Sequence, residues 1–164
     1  MDRTASKPVI AALVAIAGVT IVPFWSVESL PAVDYPAHLA RLDVLTRALA
    51  GVAHPHYRVE PRLLPNLAID LATPPLARLV GVETAFRIVI SVIALLPLAG
   101  VAMVQRAVFG RVGLGAVLAG AFLVNRVLTF GFYNAAAGLG LALIALAVWI
   151  RLADRPGRRW VAML

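Results

Sequence analysis

The sequence predicts an all-α protein, an integral membrane helical bundle of four transmembrane helices with one or two short amphipathic surface helices in its first outward loop. Three observations carry the prediction. Of the 164 residues 62% are hydrophobic and the mean hydropathy is +0.91, against about 45–50% apolar content in soluble domains. The apolar residues fall in long runs divided by charged segments. The net charge of +7 gathers beside those runs and makes no dense basic stripe with interleaved aromatics. The basicity therefore points to membrane anchoring and not to nucleic acid.

The first span is expected over residues 8–26, which carry no charge and follow a polar leader with Arg3 and Lys7. At about 1.5 Å per residue the run is long enough to cross hydrocarbon. A secretory signal would have an apolar core of about 7–15 residues and a small-residue cleavage site. Val27-Glu28-Ser29-Leu30-Pro31 offers no such site, so the span is read as uncleaved.

Residues 27–84 form a long polar loop, expected to face outward. Within it Leu39, Leu42, Leu45 and Leu49 recur on one side of 36–50, with Arg41, Asp43 and Arg47 on the other. That pattern is a narrow amphipathic helix lying on the membrane surface or on the protein's own spans. Asp43 and Arg47 form an i, i+4 pair in the favourable order, and Gly51 ends the helix. Prolines make 52–65 irregular. Asn66 is expected to cap a second short helix over 67–72, interrupted by Thr73-Pro74-Pro75, with a turn or two resuming over 76–80.

The second span is expected over 85–105, with Arg87 beside Glu83 at its interfacial end and a kink at Pro97. Arg106 and Arg111 bracket a turn at Gly110. The third and weaker span, 112–128, contains Gly113, Gly115 and Gly120, which permit close helix approach. Thr129 to Asn134 turns the chain. The fourth span, 135–150, carries Gly138-x-x-x-Ala142, again a tight-packing pattern. Arg151, Arg155, Arg158 and Arg159 follow, and Trp160 to Leu164 begins another apolar run. Residues 1–164 are thus read as a single membrane domain, incomplete. Counting Lys and Arg in short segments places both ends in the cytoplasm.

The chemistry-bearing stretch is Val33-Asp34-Tyr35-Pro36-Ala37-His38-Leu39-Ala40-Arg41. Positions 34, 38 and 41 are spaced i, i+4 and i+7, one face of a helix. Asp34 is either an N-cap with Pro36 preset for the first turn or a general base at the membrane surface. His38 and Arg41 are either a solvated face or a phosphate-holding pair, a task that suits the guanidinium fork. Asp70 is a secondary candidate, with a surface carboxylate near a helix start as its alternative. Asn134 either touches substrate or bonds a neighbouring helix, the more common use of such an Asn. His54-x-His56 lacks the third and fourth ligands a zinc site needs, so no metal residues are assigned.

With these parts in order, the chain resembles the N-terminal part of bacterial polytopic membrane proteins of the C-type glycosyltransferase (GT-C) superfamily. The resemblance rests on Asp-x-Pro-x-His-x-x-Arg at Asp34 to Arg41 and on Gly131-Phe132-Tyr133-Asn134, and covers most of the chain through short motifs. It implies transfer of a sugar from a polyprenyl-phosphate donor at the outer face of the inner (cytoplasmic) membrane, with the family's loop carboxylate at Asp34. Some members carry adjacent acids there. Here Val33 and Tyr35 flank Asp34, so a divalent metal has no support in the sequence. The resemblance also implies more spans, making this chain a fragment, inactive alone. Its partners would be the lipid bilayer, the lipid-linked sugar, and the remaining spans of the same protein or a membrane partner. The competing reading is a small four-span scaffold or partner subunit without catalysis. A transporter would need ionisable residues at mid-span, which the expected spans do not offer.

Overall fold

A computed structural model describes residues 6–30, 32–60, 62 and 66–153. Arg3, Arg155, Arg158, Arg159 and the apolar run from Trp160, all used above, lie outside the described residues. The described residues form seven helices: α1 (Lys7–Ser26), α2 (Tyr35–Leu49), α3 (Ala68–Val80), α4 (Val82–Phe109), α5 (Leu114–Gly120), α6 (Arg126–Phe130) and α7 (Tyr133–Ala153). Three of these, α1, α4 and α7, are long and apolar enough to cross a membrane. Their outer faces suit lipid: Val14 and Val19 on α1 are 66% and 73% exposed, Leu139 and Leu141 on α7 56% and 54%. In water that surface would be unfavourable by about 25 cal/mol per Å².

Helix α4 is the axis. It runs antiparallel to α1, with Arg87 against Phe24, and parallel to α7, with Phe86 against Tyr133 and Gly100 against Leu143. The parallel pair needs a return path from one end of the bundle to the other, and the segment 110–131 supplies it. Gly113 N–H donates to Gln105 Oε1 near the C-terminal end of α4, Gly120 sits against Leu98 and Ile16, and Gly131 reaches Asp34 at the other end. This return is not the continuous span expected over 112–128. It is α5, a bend at 121–125, and α6. The glycines lower helix propensity by up to about 1 kcal/mol each relative to Ala. Asn125 then starts a new helix by accepting from Leu128 N–H at 3.3 Å.

Two further expectations change. The helix expected to stop at Thr73-Pro74-Pro75 runs through it as α3, and Asn66 does not cap it but sits at φ 69 before the N-cap Leu67. Pro74 and Pro75 each remove an intrahelical hydrogen bond. With Ile69, Thr73, Pro74 and Ala77 all buried, packing against α4 offsets that loss. The tight approach expected at Gly138 and Ala142 belongs to Gly140 instead. Space is open around Gly138, whereas a Cβ on Gly140 would strike Leu96 and the Pro97 backbone.

At one end of the bundle stand Lys7, Arg106, Arg111 and Arg151. The other end carries the α1–α2 loop, α2, α3 and the first turns of α4 and α7. The buried cluster there contains Phe24, Leu30, Tyr35, Leu42, Ile69, Phe86, Ile90, Leu128 and Tyr133. It roots the polar residues described next.

Candidate functional site

The site is built at the mouth of the helices, where α2 and α3 lie over the first turns of α4 and α7. Helix α2 begins at Tyr35, with Pro36 in its first turn, so Asp34 occupies the N-cap position. Its side chain makes no capping hydrogen bond, however; only the Asp34 carbonyl is used, accepting from His38 N–H at 2.9 Å. Asp34 as a residue is half-buried, and its carboxylate is uncommitted to the helix.

His38 is committed on both ring nitrogens. Nε2 lies 3.0 Å from the Gly131 carbonyl oxygen, which can only accept, so this nitrogen carries the proton. Nδ1 then presents its lone pair to Arg41 Nη2 at 3.4 Å. The ring stands against Tyr133 at 5.6 Å and Phe86 at 6.2 Å between centroids. Its place is thus between a backbone carbonyl and the guanidinium, and it acts on Arg41 more directly than on anything outside.

Arg41 reaches across to α3, where its Nη2 is 2.9 Å from Asp70 Oδ1. The Arg41 side chain is 50% exposed and that of Asp70 13%. Burial pushes the Asp70 carboxyl above the usual carboxylate range, while the charge of Arg41 pulls against it. So Asp70 is a half-hidden acid under an open guanidinium. Asn134, on the first turn of α7, accepts through its Oδ1 from Ile69 N–H at 3.2 Å. It caps α3 from outside, satisfying one of the orphan donors of that helix start. Four of the five sequence candidates, His38, Arg41, Asp70 and Asn134, are thereby joined into one network across α2, α3 and α7. Asp34 stands at its edge, beside Gly131.

Sequence reasoning missed the floor of the site. Tyr35 stacks on Phe86 at 5.1 Å, and Phe86 meets Tyr133 edge-on at 5.6 Å. The hydroxyls of Tyr35, Tyr133 and Thr73 are buried without a hydrogen-bond partner among the described residues. Burial raises the Tyr35 phenol above its ordinary value, with the nearby Arg87 opposing. Such orphaned hydroxyls are uncommon in folded proteins. The only sequence signal was the placement of Tyr35 and Tyr133 inside the two short motifs.

Arg87, expected at the interfacial end of its span, is buried at 9% exposure. Its guanidinium donates to the carbonyls of Phe24 and Val27, both at 2.8 Å, to that of Glu28, and to Glu83 Oε1 at 2.7 Å. It ties the end of α1 to α4 directly behind Tyr35. His54 and His56 lie apart from the site. His54 Nδ1 accepts from His56 N–H at 3.1 Å, and no metal-binding group of three His, Cys, Asp or Glu occurs among the described residues.

Below the polar end, α4, α7 and the interrupted segment border an open apolar cavity of about 400 Å³. Pro97, Leu98, Val101, Phe122, Leu139 and Leu143 line it, with Asn125 at its polar side. Comparison of the chain with protein-family models, with curated proteins and with solved structures finds no match.

Proposed function

We propose that this chain is part of a membrane-embedded transferase that takes a sugar from a polyprenyl-phosphate donor, with its polar end at the outer face of the membrane. The single observation that carries the reading is Arg41. Its half-exposed guanidinium stands at the mouth of apolar helices, backed by His38 and Asp70. A guanidinium so placed suits a phosphate through paired N–H donors. The cavity beneath is lined with hydrocarbon and suits an isoprenoid chain. Asp34, whose carboxylate is not spent on capping, takes the proton from the acceptor hydroxyl as general base.

In this reading the interrupted segment 110–131 is the third of four crossings, and Lys7, Arg106, Arg111 and Arg151 face the cytoplasm, as the positive-inside rule requires. Non-helical backbone at membrane depth is tolerated where protein covers it or a cavity adjoins it, and the bend at 121–125 borders the cavity.

The test is Asp34→Asn in the full-length protein, reconstituted with a polyprenyl-phosphate sugar and a hydroxyl acceptor and assayed for release of the polyprenyl phosphate as the sugar passes to the acceptor. Transfer should fall by about 10²–10⁴, the usual contribution of a positioned base, with insertion unchanged. Undiminished transfer would remove the role assigned to Asp34.

A further inference from the structure

Helix α6 is five residues long and lies at the far end of an interrupted crossing. A helix this short leaves most of its carbonyls without partners inside it, and here nearly every one can be followed. Gly131, at φ 94, closes α6: Phe132 N–H bonds the Val127 carbonyl at 2.9 Å and Gly131 N–H the Leu128 carbonyl at 3.1 Å. That is the Schellman pattern, which needs a left-handed residue at this position.

The next three carbonyls each accept from a segment distant in sequence, and that of Gly131 accepts from Tyr133 N–H as well, at 2.8 Å. Val33 N–H donates to Thr129 at 3.2 Å, Asp34 N–H to Phe130 at 3.1 Å, and His38 Nε2–H to Gly131 at 3.0 Å. The approach is close enough that a Cβ on Gly131 would sit 2.9 Å from the Asp34 Cβ and 3.3 Å from its nitrogen. Gly131 therefore meets two requirements at once. Its φ allows α6 to end where it does, and its bare Cα lets the Asp34 backbone lie against it.

We propose that Gly131 is a positioning residue: through the carbonyls that end α6 it fixes both the Asp34 backbone and the tautomer of His38, and through His38 the place of Arg41. Its functional consequence rests on the reading of Asp34 and Arg41 given above. The arrangement itself does not. A Gly131 carbonyl that accepts from Nε2 leaves Nδ1 unprotonated and facing Arg41, so the imidazole serves as a hydrogen-bonded spacer of fixed orientation.

The test is nitrogen NMR of the full chain, labelled in its histidine rings and held in lipid nanodiscs at alkaline pH. His38 should show a protonated Nε2 and a bare Nδ1. In Gly131→Ala that signature should collapse to tautomer averaging, while the signals of His54, far from the contact, stay in place. Gly131→Asn separates the two requirements, since Asn tolerates positive φ yet still brings a Cβ against Asp34. It should behave as Gly131→Ala does. Should both variants fail to fold, the wild-type spectrum still decides: a protonated Nδ1 or free averaging at His38 overturns the proposal. An unchanged signature in either folded variant overturns it as well. A fixed His38 together with a full-length protein that transfers no sugar keeps this proposal and removes the transferase reading. Transfer with a freely averaging His38 does the reverse. Where transfer is measurable, Gly131→Ala should lower it about a hundredfold, the scale of an ångström's misplacement.

Discussion

Arg87 donates to the carbonyl of Phe24 at 2.8 Å across 63 residues of sequence. This contact makes a buried cation the C-terminal cap of a membrane-length helix. The carbonyls at the end of α1 have no partner within it, and a positive charge there also opposes the negative end of the helix dipole. Glu83 holds the same guanidinium from the solvent side. Arg87→Ala should cost about 3 kcal/mol or more, because each charge-assisted hydrogen bond contributes about 1.5–3 kcal/mol. Arg87→Lys, which keeps the charge without the fork, should recover part of that. Thermal unfolding in detergent measures both. Trp25, bonded to Ser91 at 3.2 Å beside this junction, reports it by fluorescence.

Gly100 and Gly140 set the distance between α4 and α7. A Cβ on Gly100 would lie 2.6 Å from the Leu143 Cβ, and one on Gly140 would meet Leu96 and the Pro97 backbone. Gly140→Val should destabilise the bundle by about 1–3 kcal/mol through overpacking. Gly138→Val, placed in open space, should leave the melting temperature nearly unchanged. Equal effects from the two would show that α7 is rotated from the orientation described.

Asp70 gives a pH dependence of definite sign. Its folded pKa is raised above the unfolded value, chiefly by burial. The fold thus favours the protonated acid, and that contribution is full below the unfolded carboxylate pKa of about 3.9. It is lost as pH rises through the raised folded value. Asp70→Asn should therefore match or exceed the wild type in stability at neutral pH, with the difference shrinking as the medium is acidified. A melting series against pH, run on both proteins, checks the sign.

The Tyr133 hydroxyl is buried with no partner among the described residues. Leaving such a group unsatisfied costs about 1–3 kcal/mol. Tyr133→Phe should consequently be as stable as the wild type or more so by calorimetry. In the transferase reading it should also lower donor binding, since the phenol is then held for a guest. Reduced stability would mean that an ordered water already satisfies it.

Much of the architecture was legible in the chain. Long apolar runs predicted α1, α4 and α7, leucine spacing predicted α2, and the ion pairs Asp43–Arg47 and Glu83–Arg87 form at 2.8 and 2.7 Å as their i, i+4 spacing predicts. The grouping of Asp34, His38 and Arg41 on one helix start was equally a matter of local spacing. Asp70 and Asn134 could be named but not placed. The interruption at 121–125 was hidden because hydropathy treats each segment alone, and 112–128 is apolar throughout until Asn125.

What the sequence by itself determined is where hydrocarbon surface is concentrated and which polar residues share a helical face, since both follow from neighbours along the chain. Only the tertiary structure decided that the carbonyls ending α6 would hold Asp34 and His38, that Asp70 would meet Arg41, and that Arg87 would close α1. Each of those is a match between a group left unsatisfied at a helix end or in a buried place and a partner far away in sequence. Such matches depend on how the helices stack, which no local pattern records.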